Sequence, residues 1–262
     1  MITPLDGAAK DPSESRFTEM QPITELLPEI RVDIEPAKPL VKATDCYITA
    51  QNSLRHYDAS IVNITALPNK EPQKYTSTCI AGNVETVYVS SEAIYLASNR
   101  YPYELNGNAI AYIEPLSYQT EIHKFSFKGS SLSYRATGRV NGHLGWEADK
   151  RSFRMGDYNG LLKVAASIGN TWYNSSRTRV AVFEEDAETQ MLNEISALDN
   201  LGKPGERLYA ARFIGHRGFL VTFKVTDPLY VLDFSVPESP AVIGELEIKG
   251  YSDYLHPVSE NL

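Results

Sequence analysis

The sequence is poor in the features that announce a chemistry. Its 262 residues include two cysteines, Cys46 and Cys79, with no CxxC or histidine-bearing spacing, which argues against a zinc site. There is no basic excess: the formal charge is −8 with both signs interspersed, so a face that neutralises nucleic-acid phosphates is excluded. No apolar run approaches the length of a membrane span. The N-terminus, "MITPLDGAAKDPSESRF", lacks a basic start followed by an apolar stretch, so no signal peptide is visible. A GxSxG elbow and a phosphate-cradling glycine loop are both missing. The five histidines form no HxH or HExxH pattern, and the acidic "EED" at Glu184–Asp186 has no calcium-loop spacing, so it reads as a solvated turn. No cofactor or metal is called for.

What is present is strand chemistry. There are 16 tyrosines beside many Val, Ile, Thr and Phe, residues that suit half-buried pleated surfaces. "VYVSSEAIYLAS" from Val87, "RMGDYNGLLKVAAS" from Arg154 and "ARFIGHRGFLVTF" from Ala211 share one form: a short alternating strand, a tight polar turn, a second strand. Asn159-Gly160 and Arg217-Gly218 place glycine where a hairpin turn wants positive φ. Each hairpin is followed by a second one, starting at Thr120, Thr178 and Asp227, and "ASIVNITALPNKEPQKYTSTCIAG" from Ala59 has the same form. The unit is four antiparallel strands, a-b-c-d, recurring about every 45 to 65 residues. The fold class is therefore all-β. The architecture is a β-propeller of about four four-stranded antiparallel blades, with a plain β-sandwich as the alternative. Residues 1–44 read as a partly irregular N-terminal extension, with a short helix before Pro28, and residues 45–262 as the blades of a single domain.

"YSDYLHPVSENL", Tyr251 to Leu262, aligns with "YAARFIGHRG" and reads as strand a of another blade followed by its turn. Upstream of Ala59 only "DCYITAQN" offers a strand. The terminal blade is thus either closed by the C-terminal strand or incomplete, as in a segment of a larger wheel. An incomplete ring would leave open blade edges for self-association.

The stretches "VYVSSEAIYLAS", "TEIHKFSF", "ATGRVNG", "DYNGLLKVAASIGN" and the run from Pro204 to Pro257 resemble a family of mostly secreted bacterial and archaeal β-propeller proteins distantly related to WD40 repeats. Its chains continue with further blades on both sides, which favours the segment over the closed ring. The resemblance implies an extracytoplasmic location (secreted, periplasmic or cell-surface). It also favours a disulfide between Cys46 and Cys79 over two buried thiols. It brings no established activity and no catalytic residue.

In a propeller the a-b and c-d turns share one face, and the b-c and d-a connections the other. Here the long connections are b-c and d-a: residues 99–119, "IGNTWYNSSR" from Ile168 and "NGHLGWEADKR" from Asn141. They carry Tyr101, Tyr103, Tyr112, Tyr118, Trp146, Trp172 and Tyr173, rings that offer contact area at low entropic cost on a rigid scaffold. Near the axis, Asp253 and His256 in "SDYLHP" could orient an imidazole, and Arg154 and Arg212 are the other ionisable strand a residues. His123 reads as a packed strand residue and His216 as a solvated turn residue. The functional expectation is a non-catalytic binding or scaffold module whose long-loop face takes a protein, peptide or glycan. The alternative is a propeller-type hydrolase or lyase with a site near the axis.

Overall fold

The computed structural model describes residues 2–4, 27–49, 60–100, 103–106, 109–112, 118–169, 174–223, 227–248 and 254–258. Strands dominate, and the helical pieces among these residues are 3-10 turns. The helix expected before Pro28 falls almost wholly outside them. The chain forms two compact units, Met1–Val84 with Phe125–Tyr134, and Glu85–Lys124 with Arg135–Leu262.

The first unit contains β1 (Ile2–Pro4), β2 (Glu29–Ile30), β3 (Lys38–Pro39), β4 (Cys46–Thr49), β5 (Ile61–Ala66) and β6 (Thr76–Ala81). β2 and β3 pair as a small ribbon, and the others form a sheet in the order β1-β4-β6-β5. β5 and β6 are the antiparallel pair expected from Ala59 onward. β4 departs from the all-antiparallel blade, because it runs parallel to β6. This register sets Cys46 opposite Cys79, and the two form a disulfide with Cα atoms 4.4 Å apart. Both cysteines are fully buried with Leu27 and Val41, so the sheet trades an antiparallel neighbour for a cross-linked core. Tyr134 stacks on Tyr47 and meets Phe125 edge-on, with ring centroids 5.2 and 5.4 Å apart.

The second unit begins with β7 (Thr86–Val89), β8 (Ala93–Arg100) and the ribbon β9 (Tyr103–Asn106) and β10 (Ala109–Tyr112). β11 (Gln119–Lys128) and β12 (Ser131–Asn141) follow, with their shared tip counted in the first unit. Next come β13 (Met155–Tyr158), β14 (Leu161–Ile168), β15 (Arg177–Asp186) and β16 (Met191–Leu201). The last set is β17 (Arg207–Ile214), β18 (Arg217–Phe223), β19 (Asp227–Asp233) and β20 (Ala241–Ile248). β17 to β20 form one sheet in sequence order. The two earlier sets merge into a single sheet, β13-β14-β15-β16-β12-β11-β8-β7. The seam is a parallel bridge between Thr137 and Met191. Gly138 makes it possible, since a Cβ there would sit 2.6 Å from Leu192 Cβ and 2.7 Å from its carbonyl oxygen.

Period-2 alternation divides the interior into two cores. Leu162, Val164 and Ala166 on β14, with Ala181 and Phe183 on β15, face one core beside Tyr95, Ile122 and Leu144. Ala165, Val180 and Val182 face the other, with Leu208, Leu220, Leu232 and Phe234. Because both faces are covered, β14 reads as a nearly continuous apolar run rather than an alternating one.

Asn159 and Gly160 form the expected turn, with φ of 53° and 79°. Arg217-Gly218 does not. The turn falls two residues earlier, at Gly215-His216, with Gly215 at φ 56° and Ile214 paired with Arg217. Gly218 lies inside β18, where a side chain would crowd Phe213 and Phe234 at 3.0 to 3.2 Å, so packing and not turn geometry accounts for it. Glu184–Asp186 likewise ends β15 and is not a turn: Glu185 is held at 3.0 Å by Lys124, and Asp186 accepts the Glu188 amide at 2.9 Å. Of the expected C-terminal strand, the described part, residues 254–258, joins no sheet.

Candidate binding cleft

The second unit holds a cleft of about 340 Å³ whose walls come from the long connections. Tyr118 closes the segment before β11, and His143, Gly145, Trp146 and Glu147 lie between β12 and β13. Gly169 and Ser176 flank the β14–β15 connection, and Glu206 precedes β17. All of these are b-c or d-a connections. Arg154, Ser167, Ile168, Arg207 and Leu208 complete the lining, so two arginines border the cleft.

The β12–β13 segment is stitched in place by its backbone. Gly142 N–H donates to the Tyr118 carbonyl at 2.6 Å, and His143 and Ser167 exchange both backbone bonds at 2.9 Å. Gly145, at φ 87°, turns the chain so that its N–H donates to His143 Nδ1 at 3.0 Å. That bond makes Nδ1 an acceptor and puts the proton of the neutral ring on Nε2. The His143 ring lies 4.7 Å from Trp146 and 5.3 Å from Tyr118, and Tyr118 and Trp146 are 5.9 Å apart edge-on. The outcome is a three-ring wall, with Trp146 49% exposed.

Arg154, at the end of the 3-10 turn Arg151–Arg154, is 2% exposed. Its Nη2 donates to the Leu208 carbonyl at 2.7 Å and its Nη1 to Ser167 Oγ at 3.3 Å. The guanidinium lies flat on Gly145, where a Cβ would come within 2.6 to 2.9 Å of it, so only glycine fits. Nε has no hydrogen-bond partner among the described residues, and no described carboxylate forms an ion pair with Arg154. The nearby acids are engaged elsewhere. Glu85 pairs with Arg151 at 3.1 Å, Glu147 with Arg207 at 3.6 Å, and Glu206 Oε2 accepts from Thr222 Oγ1 at 2.6 Å and Lys203 N at 2.9 Å.

Charge states follow from these surroundings. Burial, reinforced by Arg154, Arg207 and Arg151, pushes His143 down to about 4, against the pull of Glu147. Burial also lowers Arg154 to about 10, which leaves it cationic at neutral pH. For Glu147, burial pushes the carboxyl up, but its own backbone amide and Arg154, Arg207 and Lys150 outweigh that and hold it below the usual range.

Of the residues expected on this face, Tyr118 and Trp146 come together in the cleft. Tyr103 and Tyr112 are register partners on β9 and β10. Tyr101, Trp172, Tyr173 and Asp253 lie outside the described residues. His256 is exposed, with Nδ1 3.3 Å from the Tyr254 hydroxyl. Arg154 and Arg212 separate: Arg154 enters the cleft, whereas Arg212 lies over the Phe153 ring at 4.8 Å. His123 is buried 3.8 Å from Glu121, and His216 is exposed in its turn. His143, Glu147 and Arg207 were not singled out as site residues. The signal was in "NGHLGWE", where glycines flank a histidine and precede a tryptophan. Asp157, on strand a of its set, accepts from Ser90 at 2.9 Å and Tyr95 at 3.1 Å and is thereby immobilised. No group of three or more His, Cys, Asp or Glu among the described residues could hold a metal. None of the described helices is long and apolar enough to cross a membrane.

Two archaeal proteins are similar to this chain. An uncharacterised protein of Methanocaldococcus jannaschii is 43% identical over 127 residues, 48% of this chain and 19% of that protein. An uncharacterised protein of Archaeoglobus fulgidus is 38% identical over 143 residues, 55% of this chain and 20% of that protein. The matched stretch thus spans about a fifth of each relative. Residues 7–262 match the beta-propeller domain family, a span that includes most of the stretch read as an extension, and the chain belongs to that family.

Proposed function

We propose that this propeller is a non-catalytic binding or scaffold module that takes its ligand on the long-loop face. Each four-stranded set counts as a blade, with the eight-stranded sheet counted as two, which gives about four in all. One observation carries the proposal: the b-c and d-a connections of the second unit converge on one cleft, walled by Tyr118, His143 and Trp146. Concave sites with an apolar wall and a few convergent polar groups are where ligands settle. The hydrolase or lyase alternative needs free ionisable groups on the strands nearest the axis. Asp157 is tied by two hydroxyls and Arg212 is stacked on a ring, which supports binding over catalysis. An extracytoplasmic location is part of the proposal, supported by the disulfide, which persists best in an oxidising compartment.

The test is to probe peptide and glycan arrays with the wild-type chain and with Trp146→Ala. Wild-type features that vanish in the variant are the expected result. Features retained at full intensity in Trp146→Ala would place the binding surface elsewhere.

A further inference from the structure

A buried ion normally has a counter-ion, because desolvating a charge costs several kcal/mol and carbonyl or hydroxyl contacts recover only part of it. Arg154 makes no contact-distance ion pair among the described residues; Glu147, on the same cleft, reaches it only through longer-range attraction. Arg154 keeps Nε unpartnered while lining an open cleft. Glu85 and Glu147 are paired with Arg151 and Arg207, and Glu206 accepts from Thr222 Oγ1 and the Lys203 amide, so no carboxylate is in contact with the Arg154 guanidinium.

We propose that the cleft binds a monoanionic carboxylate ligand with an aromatic or flat apolar body, and that Arg154 is its counter-ion. This rests on the long-loop face being the binding face. Carboxylate chemistry is favoured by the planar fork of the guanidinium, which matches two carboxylate oxygens. A single charge is favoured because Glu147 offsets Arg207 within the same cleft, which leaves Arg154 as one net cation, and Glu206 beside it would repel a dianion such as a phosphomonoester. The flat body is favoured by the aromatic wall of Tyr118, His143 and the half-exposed Trp146, which a planar apolar group would pack along. With its proton on Nε2, His143 adds a neutral donor and no second cation.

The probes are phenylacetate and indole-3-acetate, their amides, and phenylphosphonate at a pH where it is a dianion, titrated by ligand-observed NMR against the whole chain. The carboxylates should bind about tenfold or more tightly than the matching amides, with the phosphonate weaker than the carboxylates. Arg154→Met should abolish the carboxylate preference. Since that variant could fail to fold, the Arg154 Nε–H resonance of the wild-type chain gives an independent readout and should shift on adding carboxylate but not amide. Amides binding as well as acids, a stronger phosphonate, a stationary Nε–H resonance, or no binding of any probe would each overturn the proposal. The broader reading fails differently. Ligands lost in Trp146→Ala but indifferent to Arg154 would keep the binding face and remove the carboxylate.

Discussion

Glu121 and Arg154 are both 2% exposed, both charged and both in the second unit, yet they are treated in opposite ways. Glu121 is surrounded by nitrogen donors, two of them on arginines. Arg100 Nε donates to it at 3.0 Å, Arg139 Nη2 at 3.2 Å, and His123 lies 3.8 Å away. Burial pushes its carboxyl up, but His123 and Arg100 pull harder and hold it far below the usual range. Arg154 has only a carbonyl and a hydroxyl. The Glu121 carboxylate has its counter-ions, Arg100 and Arg139, within the fold. The Arg154 site is left open in charge, beside a cleft, where perturbed ionisable groups tend to mark function.

The largest effect should come from making Glu121 resemble Arg154. The double variant Arg100→Met, Arg139→Met strands the carboxylate with His123 alone and should cost about 3–5 kcal/mol in urea denaturation. A loss below about 1 kcal/mol would break the comparison, since Glu121 would then not depend on its cations.

Next is acid. His143 is pushed down to about 4 in the fold by burial and by Arg154, Arg207 and Arg151, against Glu147, whereas the unfolded chain titrates it near its ordinary value. The unfolded state therefore takes up the proton first. The stability in question is intact above about 6.5 and falls by about 3 kcal/mol as the pH drops to about 4. Denaturation of wild type and His143→Gln at several pH values should show a steeper decline in the wild type over that window. Parallel curves would remove His143 from the charged surroundings of Arg154.

Arg154→Met should cost less, about 1–2 kcal/mol, because it loses two hydrogen bonds while relieving a buried charge. A cost matching the Glu121 double variant would mean that Arg154 is structural after all. Trp146→Ala should be smallest, about 0.5–1 kcal/mol for the lost ring contacts, read from the same melts.

Much of the fold was legible because it rests on local pattern. Alternation and turn chemistry locate the hairpins of the second unit, and β5 with β6, from sequence alone, but not the β9–β10 ribbon, which lies in a stretch read as a connection. Arg217-Gly218 misled because a glycine demanded by packing against Phe213 and Phe234 looks the same in sequence as one demanded by a turn. The parallel β4–β6 pairing was hidden because a long crossover leaves no local signature. Loop length pointed to connections that line the cleft, with Tyr118 and Trp146 among them. It could not reveal Arg154 as the cleft's cation, since its environment is assembled from Gly145, Ser167 and Leu208, which lie apart in the chain.

The seam at Gly138 joins β12 to β16, and His143, just beyond β12, is riveted to Ser167 on β14 at the cleft. That part of the cavity wall is therefore cast before any guest arrives. Affinity then depends on how stiff the guest already is: compact, inflexible molecules are admitted at low entropic cost, and floppy ones carry the whole penalty themselves.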